Sequence, residues 1–140
     1  MANAEDLAKL KEGVEGWNRL RKDNPDIRQP DLSGADLSMA DLRALLYGVD
    51  LSGANLIGAN LSGVDLREAN LREAKLGEAD LRRAEFTGAD LSGANLSEAN
   101  FNEANFSGAK VYALQLVATY SDDGTLLDEA VCEELKRLRH

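Results

Sequence analysis

The sequence predicts an all-β solenoid, a chain wound into stacked coils around a narrow core. Three observations carry that prediction. Residues 30–113 repeat with a period of five: seventeen consecutive units, sixteen of five residues and one of four. In each unit the first position is Ala or a residue near it in size and the third is Leu, Phe or Val, so two positions in five suit an interior. Aromatic residues make up only 5% of the chain, so the core must be built from small and aliphatic groups. A period of five fits neither an amphipathic helix nor a flat strand.

The corners follow from the same units. Asp or Asn dominates the second position, and Ser, Arg, Gly or Glu fill the fourth and fifth. Short polar side chains and Gly favour tight turns and tolerate bent backbone. Each unit therefore makes one side of a coil, and successive coils stack at the strand spacing of roughly 4.8 Å. Periodicity alone leaves the number of sides open.

Units such as Ala54-Asn55-Leu56 and Ala89-Asp90-Leu91 follow the pattern A(D/N)LXX, and over residues 30–113 the sequence resembles the pentapeptide-repeat family. The resemblance implies a right-handed quadrilateral β-helix of about four coils, with four units to a coil and the middle Leu or Phe filling the interior. It implies no single activity, because members of the family do many things. With four sides, residues twenty apart stack, giving interior ladders Leu46, Leu66, Phe86, Phe106 and Leu51, Leu71, Leu91, Val111. Each such burial contributes roughly 1.5–3 kcal/mol, which over the whole array offsets the ordering entropy of a thin tube.

One unit breaks the pattern. Ala40-Asp41-Leu42-Arg43 runs directly into Ala44-Leu45-Leu46-Tyr47-Gly48, one residue short. The simple reading is a deletion absorbed at a corner of the first coil. A sharper one notes that Leu45, Tyr47 and Ile57 are apolar at outward positions, where polar residues normally stand. They form a candidate patch, covered first by the chain's own N-terminal segment or second by a partner protein.

Both flanks read as caps, since a stacked coil exposes open interior and unpaired backbone at its ends. The chain divides into an N-terminal helical cap (1–29), the repeat (30–113), and a final strand, turn and C-terminal helix (114–140). In the first, Leu7, Leu10, Val14, Trp17 and Leu20 form one helical stripe from about residue 4 to 22, stopped by Asn24-Pro25. In the last, Leu114 and Thr119 occupy inward positions, Ser121-Asp122-Asp123-Gly124 reads as a turn, and Leu127, Val131, Leu135 and Leu138 recur at helical spacing. That face either caps the last coil or pairs with its copy in a homodimer. Capping is the favoured expectation. The opening stretch around Gly16-Trp17-Asn18-Arg19 also resembles the leader of bacterial members of the family.

Charge and chemistry narrow the function. The 25 Asp and Glu against 16 Lys and Arg give a net charge of −9, the wrong sign for holding phosphate backbones or anionic lipid. No direct nucleic-acid or membrane partner is expected. The opening segment carries charges where a secretion signal needs an apolar run, and the single Cys132 cannot form an internal disulfide, so no secretion signal is expected. The resemblance of the opening stretch to bacterial members of the family implies a cytoplasmic location. The only His is residue 140, the predicted interior is aliphatic, and no phosphate loop, metal motif or triad is present, so neither catalysis nor a cofactor is expected. Asp50 and Asp90 share a side, but Asn70 stands between them.

The expected function is a non-catalytic structural or protein-interaction module with an unidentified protein partner. The alternative comes from the resemblance: some pentapeptide-repeat proteins look like B-form DNA and bind or protect DNA gyrase. The repeat carries 13 acidic and 7 basic residues, a net −6 over roughly 20 Å of coil. Duplex DNA of that length carries about 12 charges. The mimic would be half charged, with Arg67, Arg72, Arg82 and Arg83 across its middle.

Overall fold

Every five residues one backbone position forms a parallel bridge to the residue four units further on. The computed structural model describes residues 2–23, 29–44, 46–120 and 124–139. From Asp50↔Asn70 to Asn100↔Tyr120 the bridges join residues twenty apart. In the first turn the pairs are Asp31↔Asp50, Asp36↔Asn55 and Asp41↔Asn60, nineteen apart, so the four-residue unit 40–43 takes up its missing residue within that turn. Pairing is by single bridged residues, because each unit bends before a longer strand can form.

The register defines four walls. Wall one holds units 30–34, 49–53, 69–73, 89–93 and 109–113, and wall two holds 35–39, 54–58, 74–78 and 94–98. Wall three holds 40–43, 59–63, 79–83 and 99–103, and wall four holds 44–48, 64–68, 84–88 and 104–108.

Each unit is shaped by two local devices. The Asp or Asn at the second position accepts the amide two residues on, as when Ser52 N–H donates to Asp50 Oδ1 at 3.0 Å and Arg72 N–H to Asn70 Oδ1 at 3.1 Å. The side chain thus holds the start of the corner, the Asx-turn role that suits Asp and Asn here. The corner then closes when the next unit's first amide donates to the third-position carbonyl, Ala54 to Leu51 at 3.0 Å. The fifth position sits at φ near +60° to +75° in every described five-residue unit from Gly34 to Gly108 except Gly77's neighbour Glu78 at 58° and Glu73 at 58°, which lie just below. This is a type II turn, whose third residue needs positive φ. Seven of these residues are not Gly, among them Glu68, Glu73 and Arg83.

First and third positions face inward. Leu51, Leu56, Leu61, Leu66, Leu71, Leu76 and Leu81 are all fully buried, with Ala54, Ala59 and Ala84 beside them. Phe86 and Phe106, one turn apart, stack with centroids 4.5 Å apart and planes 3° from parallel, and Phe101 meets Phe106 edge-on at 4.9 Å.

The N-terminal segment forms two helices, α1 (Ala4–Glu12) and α2 (Val14–Asp23), where the stripe predicts one. Gly13 separates them at φ 151°, ψ 146°, backbone that is nearly Gly-only. The break lets Leu10 and Trp17 both enter the core, at 4% and 2% exposure, with Leu7 and Val14 packed at its margin. The predicted stop at Asn24-Pro25 lies outside the described residues.

Past the repeat, a short helix α3 (Ala113–Leu116) stands where a final strand is expected. Leu114 points outward at 75% exposure, and Leu116 takes the interior place instead, because helical backbone rather than the five-residue unit sets direction there. Thr119 is half-buried rather than inward and its hydroxyl donates to Leu116 O at 2.6 Å. Bridges continue at Asn100↔Tyr120 and Asn105↔Leu126 before α4 (Glu129–Leu138). The expected turn at 121–124 is described only at Gly124.

At both ends an aspartate carboxylate accepts a backbone amide of the stack. Asp31 N–H donates to Asp6 Oδ2 at 3.0 Å, and Gly108 N–H donates to Asp128 Oδ1 at 3.1 Å. Backbone groups at the edge of a stack cost stability if left bare.

Candidate functional site

The outward side chains are the part of the molecule that can meet another. Because units repeat in register, second-, fourth- and fifth-position side chains form vertical rows on each wall. Short ion pairs order several of them. Arg43, Arg67 and Arg82 each donate Nε and Nη2 to the aspartate two residues back, with Nη2 to Oδ2 distances of 2.7 Å to Asp41, Asp65 and Asp80. Side-chain hydrogen bonds from these arginines hold the three carboxyls below the usual carboxylate range. The Ser92 hydroxyl does the same for Asp90, which Arg72 also reaches from the turn above at 3.4 Å. Asp50 and Asp90 flank Asn70 on wall one, and among the described residues no group of His, Cys, Asp and Glu could hold a metal.

Two members of the candidate patch, Tyr47 and Ile57, do not share a surface. Leu45 lies outside the described residues. Tyr47 is on wall four and Ile57 on wall two, the opposite side, since they differ by two units in a four-unit turn. Tyr47 is half-buried: the Arg21 guanidinium lies 4.1 Å from its ring centroid, Arg21 Nη2 donates to its carbonyl, and its hydroxyl donates to Arg21 O at 3.2 Å. Arg21, 7% exposed, thus reaches across from α2, so the chain's own N-terminal segment covers this ring. Ile57 is 41% exposed beside Met39, whose amide donates to Ile57 O at 2.9 Å. Met39 was missed as an apolar outward residue, although it stands where Gly usually ends the unit.

Of the residues expected on the C-terminal helix face, Leu135 is buried and Val131 packs against the core, Leu127 packs there from just before α4 because the helix starts only after Asp128, and Leu138 remains partly exposed. Cys132 is half-buried on the same helix. Around them, Arg139 donates to Leu116 O at 2.8 Å and Gln115 Nε2 donates to Leu91 O at 2.8 Å.

Wall three carries a shallow depression of about 500 Å³ that sequence reading overlooked, lined by Arg43, Ser62, Gly63, Arg82, Arg83, Asn102 and Glu103. Its signal is present in the sequence, but only once the nineteen-residue first turn brings Arg43 into line with Ser62 and Arg82.

A buried aliphatic column with ordered polar walls defines a repeat solenoid that displays surfaces. A family model for pentapeptide repeats matches residues 44–83 and 79–113, in 8 copies. A solved pentapeptide repeat protein from the Arabidopsis thaliana thylakoid lumen is 34% identical over 76% of this chain and 74% of its own, with a TM-score of 0.60. The chain belongs to the pentapeptide-repeat family. A pentapeptide repeat protein from Nostoc is 27% identical over 87% of this chain and 94% of its own, TM-score 0.43. QnrB1, a plasmid-mediated fluoroquinolone resistance protein, is 23% identical over 76% of this chain and 65% of its own, with a TM-score of 0.35. No curated protein matches the sequence. No helix among the described residues is long and apolar enough to cross a membrane.

Proposed function

We propose that the chain is a non-catalytic protein-interaction module: a right-handed quadrilateral column of about four regular coils, closed at each end by helices, whose walls dock a protein partner. The observation that carries this reading is the segregation of chemistry. First and third positions of the repeat are filled by buried aliphatic and Phe side chains, and the polar groups stand outside in fixed rows. Such a body presents wide, pre-ordered surface, which lowers the ordering cost of association.

Capping by α4 supports a monomer, because Leu127, Val131 and Leu135 are occupied by the chain's own core. Light scattering at a single sharp 15.1 kDa mass fits this, and a 30 kDa class mass contradicts it (about twice the chain). A cytoplasmic location completes the reading and is checked by fractionation of the source cells.

The test is capture from native extract with wall-specific variants: Arg72→Glu for wall one, Ile57→Glu for wall two, Arg82→Glu for wall three and Arg67→Glu for wall four. Loss of one reproducible partner with one variant alone supports docking through that wall. A partner list unchanged by all four removes the reading. The gyrase alternative is tested by a supercoiling assay, in which neither inhibition nor protection is expected.

A further inference from the structure

We infer that the depression on wall three is a binding site for a phosphoryl group, held between Arg43 above and Arg82 and Arg83 below. Three features of this chain build it. The unit 40–43 lacks its fifth residue, and Ser62-Gly63 beneath it supplies only small groups, so the corner between walls three and four is notched. Arg82 and Arg83 occupy the turn below that, two strand spacings or roughly 10 Å beneath Arg43. All three arginines line the notch, and Ser62 and Gly63 between them carry no large side chain.

The arginines are held but not used up. Asp41 takes Nε and Nη2 of Arg43, and Asp80 takes the same atoms of Arg82, leaving three of five N–H donors on each. Arg83 Nε lies 3.4 Å from Glu103 Oε2. The side chains remain 60%, 55% and 75% exposed, so their outer edges are open. Pairing fixes each fork in advance, which suits planar, multidentate recognition.

Charge selects the ligand. Wall three balances Asp41, Asp80 and Glu103 against Arg43, Arg82 and Arg83, whereas on walls one, two and four acidic residues outnumber basic ones by two. An anion approaching the molecule meets least repulsion here. A single carboxylate would only duplicate the partners already present. A phosphoryl group brings close to two negative charges and three acceptor oxygens, enough to bridge forks from two turns. The Ser62 hydroxyl lines the notch but donates to Asn60 Oδ1 at 2.7 Å, so the arginines supply the donors for the phosphoryl oxygens.

The inference rests on the reading of the walls as docking surfaces, but its test uses purified protein and small probes, so either can fail without the other. Titrations with inorganic phosphate and with a phosphoserine peptide are followed by amide chemical shifts of Ser62 and Gly63, alongside the unphosphorylated peptide. Saturable shifts at these residues are expected. Arg43→Ala and Arg82→Ala should each weaken them about tenfold, while Arg67→Ala on wall four and Arg72→Ala on wall one leave them unchanged. Tighter binding of the phosphopeptide assigns the group to a protein partner, and equal binding assigns it to a free phosphate compound. No saturation, or equal loss with Arg67→Ala and Arg43→Ala, overturns the site.

Discussion

Phe86 lies flat on Phe106, twenty residues later, with ring planes 3° apart. The two rings occupy the same place in successive turns, so their contact reports the register of the whole column. Phe86 is fully buried, and Phe86→Ala should cost about 3–5 kcal/mol, read from urea denaturation. Leu71→Asp, which puts a carboxylate in the same aliphatic core, should leave no cooperative transition.

Arg21 and Tyr47 join α2 to the first turn. Arg21→Ala should open α1 and α2 before the column melts, giving earlier amide exchange at Leu10 and Trp17 than at Leu71. Coincident exchange at all three would show that the two helices do not depend on this contact.

The positive-φ corners have opposite expectations for Glu and Gly. Glu73 sits at φ 58°, so Glu73→Gly relieves left-handed strain and, after the entropy Gly loses on folding, should add about 0.5–1 kcal/mol. Gly93→Ala should lose about 1 kcal/mol, since its φ is 73° and the new Cβ would meet the Glu73 carboxylate. Paired denaturation curves check both signs.

Acid should weaken the fold through the second-position aspartates. Hydrogen bonds from Arg67 and Arg82 hold the Asp65 and Asp80 carboxyls below their ordinary values in the folded chain. Depressed folded values mean that this stability is present above the unfolded value near 3.9 and is lost as pH falls through the folded ones. Asp80→Asn keeps the Asx turn but no longer titrates, so its melting temperature should fall less between neutral pH and about pH 3.

The repeat made the column legible because each unit solves the same local problem with the same residues. Leu at position three and Asp or Asn at position two reveal the interior and the corner before any coordinates. What the sequence concealed lies where units stop being equivalent. The apolar trio of Leu45, Tyr47 and Ile57 looked contiguous in sequence, but two units of separation place Tyr47 and Ile57 on opposite walls. The helical stripe hid the Gly13 break, since Leu10 and Trp17 keep helical spacing across it. The wall-three notch draws on four successive turns, and the nineteen-residue first turn brings Arg43 into line with the rest.

Interproton contacts between backbone amides test the winding most directly. This winding requires cross-peaks linking turns at nineteen residues near Asp31 and Asp50 and at twenty near Asp50 and Asn70. Contacts at any other constant separation, or none between successive turns, would contradict it.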